Sequence, residues 1–219
     1  FEANAKEGIA VDWPIRYDDL APWYSYVEKF AGIQGSKEGL EVLPDSEFLP
    51  AMDLNVVEKE VAAKIKTHYN GKRHMIIGRS ANLTQAKPEQ NRVSCQYRNR
   101  CWRGCPFGAY FSTQSATLPA ANATGNLTLE TDKIVTKIIF DKDKKKATGV
   151  EVIDAVENKT YTYTAKIIFV CASSFNSTWL LMNSATDIWP GGLGSSSGEL
   201  GNNVMDHHFR CGASGKVEG

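Results

Sequence analysis

Three of the five cysteines fall close together in the sequence, at Cys95, Cys101 and Cys105. Three arginines lie between them: Arg98, Arg100 and Arg103. A nearby cation favours the thiolate over the thiol, and thiolates bind soft metals and iron–sulfur clusters. Three cysteines are one ligand short of a closed zinc site, but they suffice for an iron–sulfur cluster that lacks one iron corner. These cysteines are therefore candidate metal ligands.

Two other interpretations of these cysteines remain open from the sequence. Cysteine is among the most buried residue types, so the three could be independent residues of a core or a loop. In an oxidising compartment, two of them could form a disulfide. The odd number of cysteines, with Cys171 inside an apolar run and Cys211 far from the others, is not typical of a disulfide framework.

A second candidate site is the turn that follows the apolar run 167–171. This run lacks alternation between apolar and polar residues, so we expect a central parallel strand that is covered on both faces. The small residues Ala172 and Ser173 lead from it into a predicted helix over 176–182. Backbone N–H groups at such a strand–turn–helix junction bind phosphates and cofactors.

The third candidate is the sequence Asp206-His207-His208, which follows a predicted glycine- and serine-rich loop over 191–201. Neighbouring side chains point apart in a helix or a strand, which weakens a metal-site interpretation. Structural hydrogen bonding and packing beside a cofactor are the alternatives.

The predicted elements around these sites change character near residue 126. Before it we expect helices over 23–30 and 116–121, and another after Asn55, where Glu58 would complete a capping box. After it come five strand-like runs: 126–130, 134–140, 148–154, 159–164 and 167–171. The sequence therefore predicts an α/β fold in the broad sense, with helices and strands mixed (α+β).

Composition and charge exclude some classes of partner. The 219 residues include 25 basic and 25 acidic side chains, so nothing indicates nucleic acid or an anionic membrane surface. No apolar run reaches the length of a membrane span. The chain begins at Phe1 and ends without a terminating element, which suggests a piece of a longer protein and leaves its compartment undetermined.

Several segments carry a recognisable order and spacing: WPIRYDDLAPWY at 13–24, GCPFGA at 104–109, NLTL at 126–129, ATGV at 147–150, VCAS at 170–173 and LGNNVMDH at 200–207. In these segments the chain resembles the glucose–methanol–choline (GMC) family of flavin oxidoreductases. The resemblance implies FAD as cofactor and hydride removal from a CH–OH group of an alcohol or sugar. It also implies a central fragment that lacks the N-terminal pyrophosphate loop and the C-terminal catalytic segment, so no catalytic residue is assigned.

The resemblance further implies contacts to FAD. Val135 matches the position whose backbone meets the adenine, and Ala172 with Ser173 matches the Ala-Gly turn beside the cofactor. Ser173 stands where the family usually has glycine. Asn203, Asp206 and His207 match the segment in which the chain returns from the flavin domain to the substrate domain.

The cysteine spacing resembles the gluconate, fructose and glucose dehydrogenase branch of the family. In that branch a similar stretch holds a 3Fe–4S cluster, which would pass electrons from the flavin towards an electron acceptor. Cys95, Cys101 and Cys105 would then be the ligands.

These implications predict a division of the chain into three parts. Residues 1–125 would belong to the substrate or cap region, 126–185 to a partial Rossmann-like FAD-binding domain, and 186–219 to a loop that returns to the substrate domain. Two alternatives to a flavoenzyme remain: a non-catalytic structural module, and a cysteine-based metal-binding domain.

Overall fold

The structure, a computed structural model, describes residues 1–8, 12–206 and 211–216. The chain forms two compact units, unit 1 over Phe1–Leu127 and unit 2 over Thr128–Gly219. Helices and strands are mixed, which confirms the predicted fold class. Within the part of the chain just defined, no helix combines the length and the apolar character that crossing a bilayer requires.

The described residues of unit 1 form four α-helices: α1 (Ala3–Glu7), α2 (Tyr17–Ala31), α3 (Val56–His68) and α4 (Leu118–Ala123). Helix α2 is longer than the predicted 23–30, because the Asp19 carboxylate accepts a hydrogen bond from the Arg16 N–H at 2.7 Å and supports an earlier start. It ends at Gly32, whose φ of 77° is left-handed.

Helix α3 begins as predicted from its capping box. The Asn55 side chain accepts a hydrogen bond from the Glu58 N–H at 2.9 Å, and the Glu58 carboxylate accepts one from the Asn55 N–H at 2.7 Å. Two backbone donors of the first turn are thereby satisfied.

The remainder of unit 1 is largely irregular chain. Isolated bridges connect Gln34 to both Leu49 and Ser80, and connect Asn82 to Tyr110. Short helical turns interrupt this chain at Pro88–Gln90, Cys101–Arg103 and Thr113–Thr117. The last of these is capped by Ser112 and continues into α4.

Unit 2 is built on a three-stranded antiparallel sheet. Its strands are β1 (Lys133–Asp141), β2 (Lys146–Asp154) and β3 (Lys159–Thr164), in the order β1-β2-β3. Helix α5 (Ser173–Asn183) packs on β1. The buried apolar side chains of the unit come from both layers: Ile138, Val152 and Leu180.

Two predicted strands are wrong. Residues 126–130 and 167–171 form no strand, and within 167–171 the side chains of Ile167 and Phe169 are 71% and 82% exposed. A central parallel strand needs a partner strand on each side, and the described residues supply none, because the sheet ends at β3 and is antiparallel throughout. An apolar composition alone therefore did not produce a strand here.

Candidate functional site

The backbone at the start of α5 adopts a left-handed conformation. Ser173 begins α5 with a φ of 67°, a region that glycine enters easily and that other residues rarely adopt. The Ala172 N–H donates a hydrogen bond to the Ser177 hydroxyl at 3.2 Å, which holds this turn against the helix. Ser173 therefore has a backbone conformation that glycine would adopt with less strain.

A cavity of about 790 Å³ lies between α5 and the segment 201–206. Ser173, Asn203 and Asp206, for which the family resemblance implies cofactor contact, all line it. Asn203 also has a positive φ of 59° and donates a hydrogen bond to the Glu199 carboxylate. Residues about thirty positions apart in the sequence therefore border one space.

The apolar wall of this cavity was not predicted from the sequence. It consists of Phe175, Trp179 and Met182, whose side chains are exposed. Their spacing of four and then three residues places them on one face of α5, and that spacing was the signal available beforehand. A wall of two aromatic rings and a thioether, next to a rim of polar side chains, suits a flat ring system with polar substituents.

The other predicted cofactor residues have different positions. Val135 is exposed on β1, pairs with Val152, and immediately precedes a break in the β1–β2 register. It does not line the cavity beside α5. Ala172 is the exposed residue just before Ser173, and His207 lies outside the described residues.

The three clustered cysteines line one cavity. Cys95, Cys101 and Cys105 line a small cavity of about 30 Å³ in unit 1, and no disulfide joins any two of them. However, across residues 1–8, 12–206 and 211–216, no three or more His, Cys, Asp or Glu side chains form a group that could hold a metal ion. The side chains as placed therefore do not fit a cluster.

Cys105 has the most distinctive environment of the three cysteines. Burial raises the pKa of its thiol, but the backbone N–H groups of Tyr110, Phe107 and Ala109 and the cation of Arg98 outweigh burial, so the pKa is lowered overall. Gly108, with a φ of 64°, allows the tight turn that points these N–H groups at the sulfur.

The amino-acid sequence is similar to a known enzyme family and to several of its members. Residues 15–209 match the family described as GMC oxidoreductase. The chain is 23% identical over 210 residues to the fructose dehydrogenase large subunit of Gluconobacter japonicus, covering 94% of this chain and 37% of that protein. It is 28% identical over 219 residues to the 2-methyl-1,2-propanediol dehydrogenase of Mycolicibacterium austroafricanum, covering 98% and 38%.

A third relative is the paromamine 6'-oxidase of Streptomyces fradiae, with 27% identity over 199 residues, 89% of this chain and 34% of that protein. The chain thus spans between 34% and 38% of the length of these relatives.

Proposed function

Because the chain belongs to the GMC oxidoreductase family, we propose that it is part of an FAD-dependent enzyme that oxidises a CH–OH group of a small alcohol or sugar. The names of the relatives, two dehydrogenases and an oxidase, support oxidation–reduction. FAD, when bound, would accept the hydride from the substrate carbon. No catalytic residue is assigned within this chain.

The observation that carries this proposal is the cavity beside α5. It combines three of the predicted cofactor contacts, Ser173, Asn203 and Asp206, with an aromatic wall. The N-terminus of α5 would direct its unpaired N–H groups towards a phosphate, and Trp179 would pack against a ring. Val135, Ala172 and His207 are proposed as further cofactor contacts on the family resemblance alone.

The proposal is tested by titrating the protein with FAD and following flavin fluorescence and absorbance. Replacing an aromatic side chain that stacks on a base costs about 1–3 kcal/mol, so Trp179→Leu should weaken FAD binding about tenfold. Trp23→Leu is the matched control, since Trp23 is similarly exposed but belongs to unit 1. A protein that binds no flavin, or an equal loss in both variants, would favour the non-catalytic module instead.

A cofactor at Cys95, Cys101 and Cys105 is proposed separately, on the spacing of the cysteines in the sequence, although their side chains as placed form no metal-binding group among the described residues. Iron and sulfide bound there would indicate a 3Fe–4S cluster, whereas zinc would indicate a metal-binding domain. Analysis of iron, acid-labile sulfide and zinc distinguishes these outcomes. A metal-free protein in which all three thiols react with a thiol reagent would refute both.

A further inference from the structure

The segment 95–107 of unit 1, called here the arginine loop, exposes three cationic side chains: Arg98, Arg100 and Arg103. No salt bridge among the described residues includes any of the three. The sequence around them offers no partner either, because residues 91–129 contain no aspartate or glutamate. Three exposed guanidinium groups therefore have no carboxylate within ion-pair distance in the part of the chain that the structure describes.

Exposed aromatic side chains accompany these arginines in the same loop. Tyr97 and Trp102 are 72% and 75% exposed. The central guanidinium carbon of Arg103 lies 4.4 Å from the centre of the Trp102 ring. That of Arg98 lies 5.6 Å from the centre of the Phe107 ring. Stacking on a ring orients a guanidinium without neutralising its charge, so the N–H groups remain available to an anion.

The backbone of the arginine loop is strained where the aromatic ring of Tyr97 is displayed. Tyr97 has a φ of 50°, in the left-handed region that bulky residues rarely adopt, and Asn99 has the same φ. The Tyr97 N–H donates a hydrogen bond to the Cys95 sulfur at 3.4 Å, which holds this conformation. Backbone strain of this kind is concentrated at binding and catalytic sites. An exposed ring on a strained backbone adds little to the stability of the fold, so a role in binding explains it better.

We infer that the arginine loop is a docking surface for an acidic segment of a partner protein. The carboxylates of that segment would pair with the three arginines, while Tyr97 and Trp102 would add contact area. Arginine, tryptophan and tyrosine are the residues that contribute most to protein–protein binding energy, and clusters of arginine recognise acidic motifs. The inference rests on these exposed side chains, so it depends neither on the proposed flavin chemistry nor on what the cysteines bind.

A nucleic acid is the other macromolecule that arginine and aromatic side chains commonly bind. Domains that bind nucleic acids are generally basic overall, whereas this chain has 25 basic and 25 acidic residues. An acidic protein segment needs only a local cluster of cations. The charge distribution therefore favours a protein partner.

The test is fluorescence anisotropy with three labelled probes: an oligoglutamate peptide, an oligolysine peptide and an oligothymidylate. We expect the chain to bind oligoglutamate, and to bind it more weakly as sodium chloride is added, because salt screens exposed ion pairs. The inference is overturned if oligoglutamate does not bind, or if oligolysine binds equally well. Tighter binding of oligothymidylate than of oligoglutamate would also overturn it, in favour of a nucleic-acid ligand.

Two triple variants locate the binding. The first replaces the arginines of the loop: Arg98→Gln, Arg100→Gln and Arg103→Gln. It should weaken oligoglutamate binding about tenfold, because three exposed ion pairs are lost. The matched control removes three exposed cations near the end of α3: Lys66→Gln, Lys72→Gln and Arg73→Gln. It too removes an arginine stacked on a ring, since the Arg73 guanidinium lies 5.0 Å from the centre of the Tyr69 ring. An equal loss in both variants would show that the probe responds to net charge and not to the arginine loop, and would overturn the inference.

Discussion

The two units satisfy their buried backbone groups in different ways. In unit 2 the strands pair with one another, and the buried polar side chains are short ones, Asp154 and Ser184. In unit 1 the chain is irregular, and the buried polar side chains are long ones, Gln34 and Arg92, each 1% exposed. Since nearly every buried N–H and C=O needs a partner, a core without ladders needs side chains that replace them.

Gln34 illustrates this replacement. Its side-chain amide donates to the Gly78 carbonyl at 2.7 Å and to the Ser80 hydroxyl at 2.9 Å, and its side-chain carbonyl accepts from the Met52 N–H at 2.7 Å. Gln34 thus connects its own stretch to residue 52 and to residues 78–80, and Arg92 likewise connects its own turn to the end of α2 at Ala31 and to Gly108.

Unit 2 uses the same solution at the edge of its sheet. Strand β1 has a neighbouring strand only on the β2 side, where Ile138 is paired with Val150. The Ser184 hydroxyl accepts a hydrogen bond from the Ile138 N–H at 2.8 Å and donates one to the Leu180 carbonyl at 2.7 Å. In both units, therefore, buried polar side chains pair with backbone groups that have no partner strand.

The largest expected effect comes from Arg92→Leu in unit 1. The change leaves the buried Ala31 carbonyl and the part-buried Gly108 carbonyl without their donors, and each unsatisfied acceptor costs about 1–3 kcal/mol. Hydrogen–deuterium exchange should become faster in peptides that cover residues 92–111, while peptides from β1–β3 keep their protection. Equal acceleration of exchange in both units would show that the Arg92 hydrogen bonds do not stabilise unit 1 in particular.

Gly149→Ala is the corresponding change in unit 2. An added Cβ would lie 2.3 Å from the Tyr163 carbonyl oxygen, so β2 and β3 must separate, at a cost of about 1–3 kcal/mol. Chemical denaturation measures the loss. Gly78→Ala in unit 1 is the control, because nothing lies within 4 Å of its added Cβ, and it should be close to neutral. Similar losses in the two variants would mean that the sheet contact is not the cause.

Ser184→Ala should have a smaller effect, about 1–2 kcal/mol, because it leaves the Ile138 N–H buried without its acceptor. Faster amide exchange at Ile138, followed by NMR, is the specific readout. Ser196→Ala, at an exposed serine, should leave both stability and exchange unchanged. Unaltered exchange at Ile138 in Ser184→Ala would show that the hydroxyl is not the acceptor on which that amide depends.

The same contrast explains which parts of the fold the sequence predicted. Strand-like runs of residues identified β1 to β3, and the Asn55–Glu58 box located the start of α3, because these signals are local. The contacts of Gln34 and Arg92 join residues up to 61 positions apart, and no local pattern encodes them. The run 167–171 was misinterpreted for a related reason, since a parallel strand depends on neighbours and not on its own composition.

The residues of the candidate site also differ in whether the sequence predicted them. Its polar residues Ser173, Asn203 and Asp206 were selected from the sequence by resemblance, and the structure adds that they border one cavity. The aromatic wall was missed, because Phe175, Trp179 and Met182 have the pattern of an ordinary core-facing helix. Their exposure, which distinguishes a cavity wall from a core, depends on what packs against α5 and is visible only in the fold.

Ser173→Gly is expected to have the smallest effect, and it is the one predicted gain. Ser173 holds a φ of 67° at the start of α5, a conformation that is strained for a residue with a Cβ and relaxed for glycine. The substitution should therefore raise the free energy of unfolding of unit 2 by about 0.5–1 kcal/mol, measured by chemical denaturation. Ser173→Ala, which also lacks the hydroxyl but keeps the Cβ, should show no gain, so the difference between the two variants isolates the backbone conformation. If the glycine variant were no more stable than the alanine variant, the positive φ would not be a source of strain.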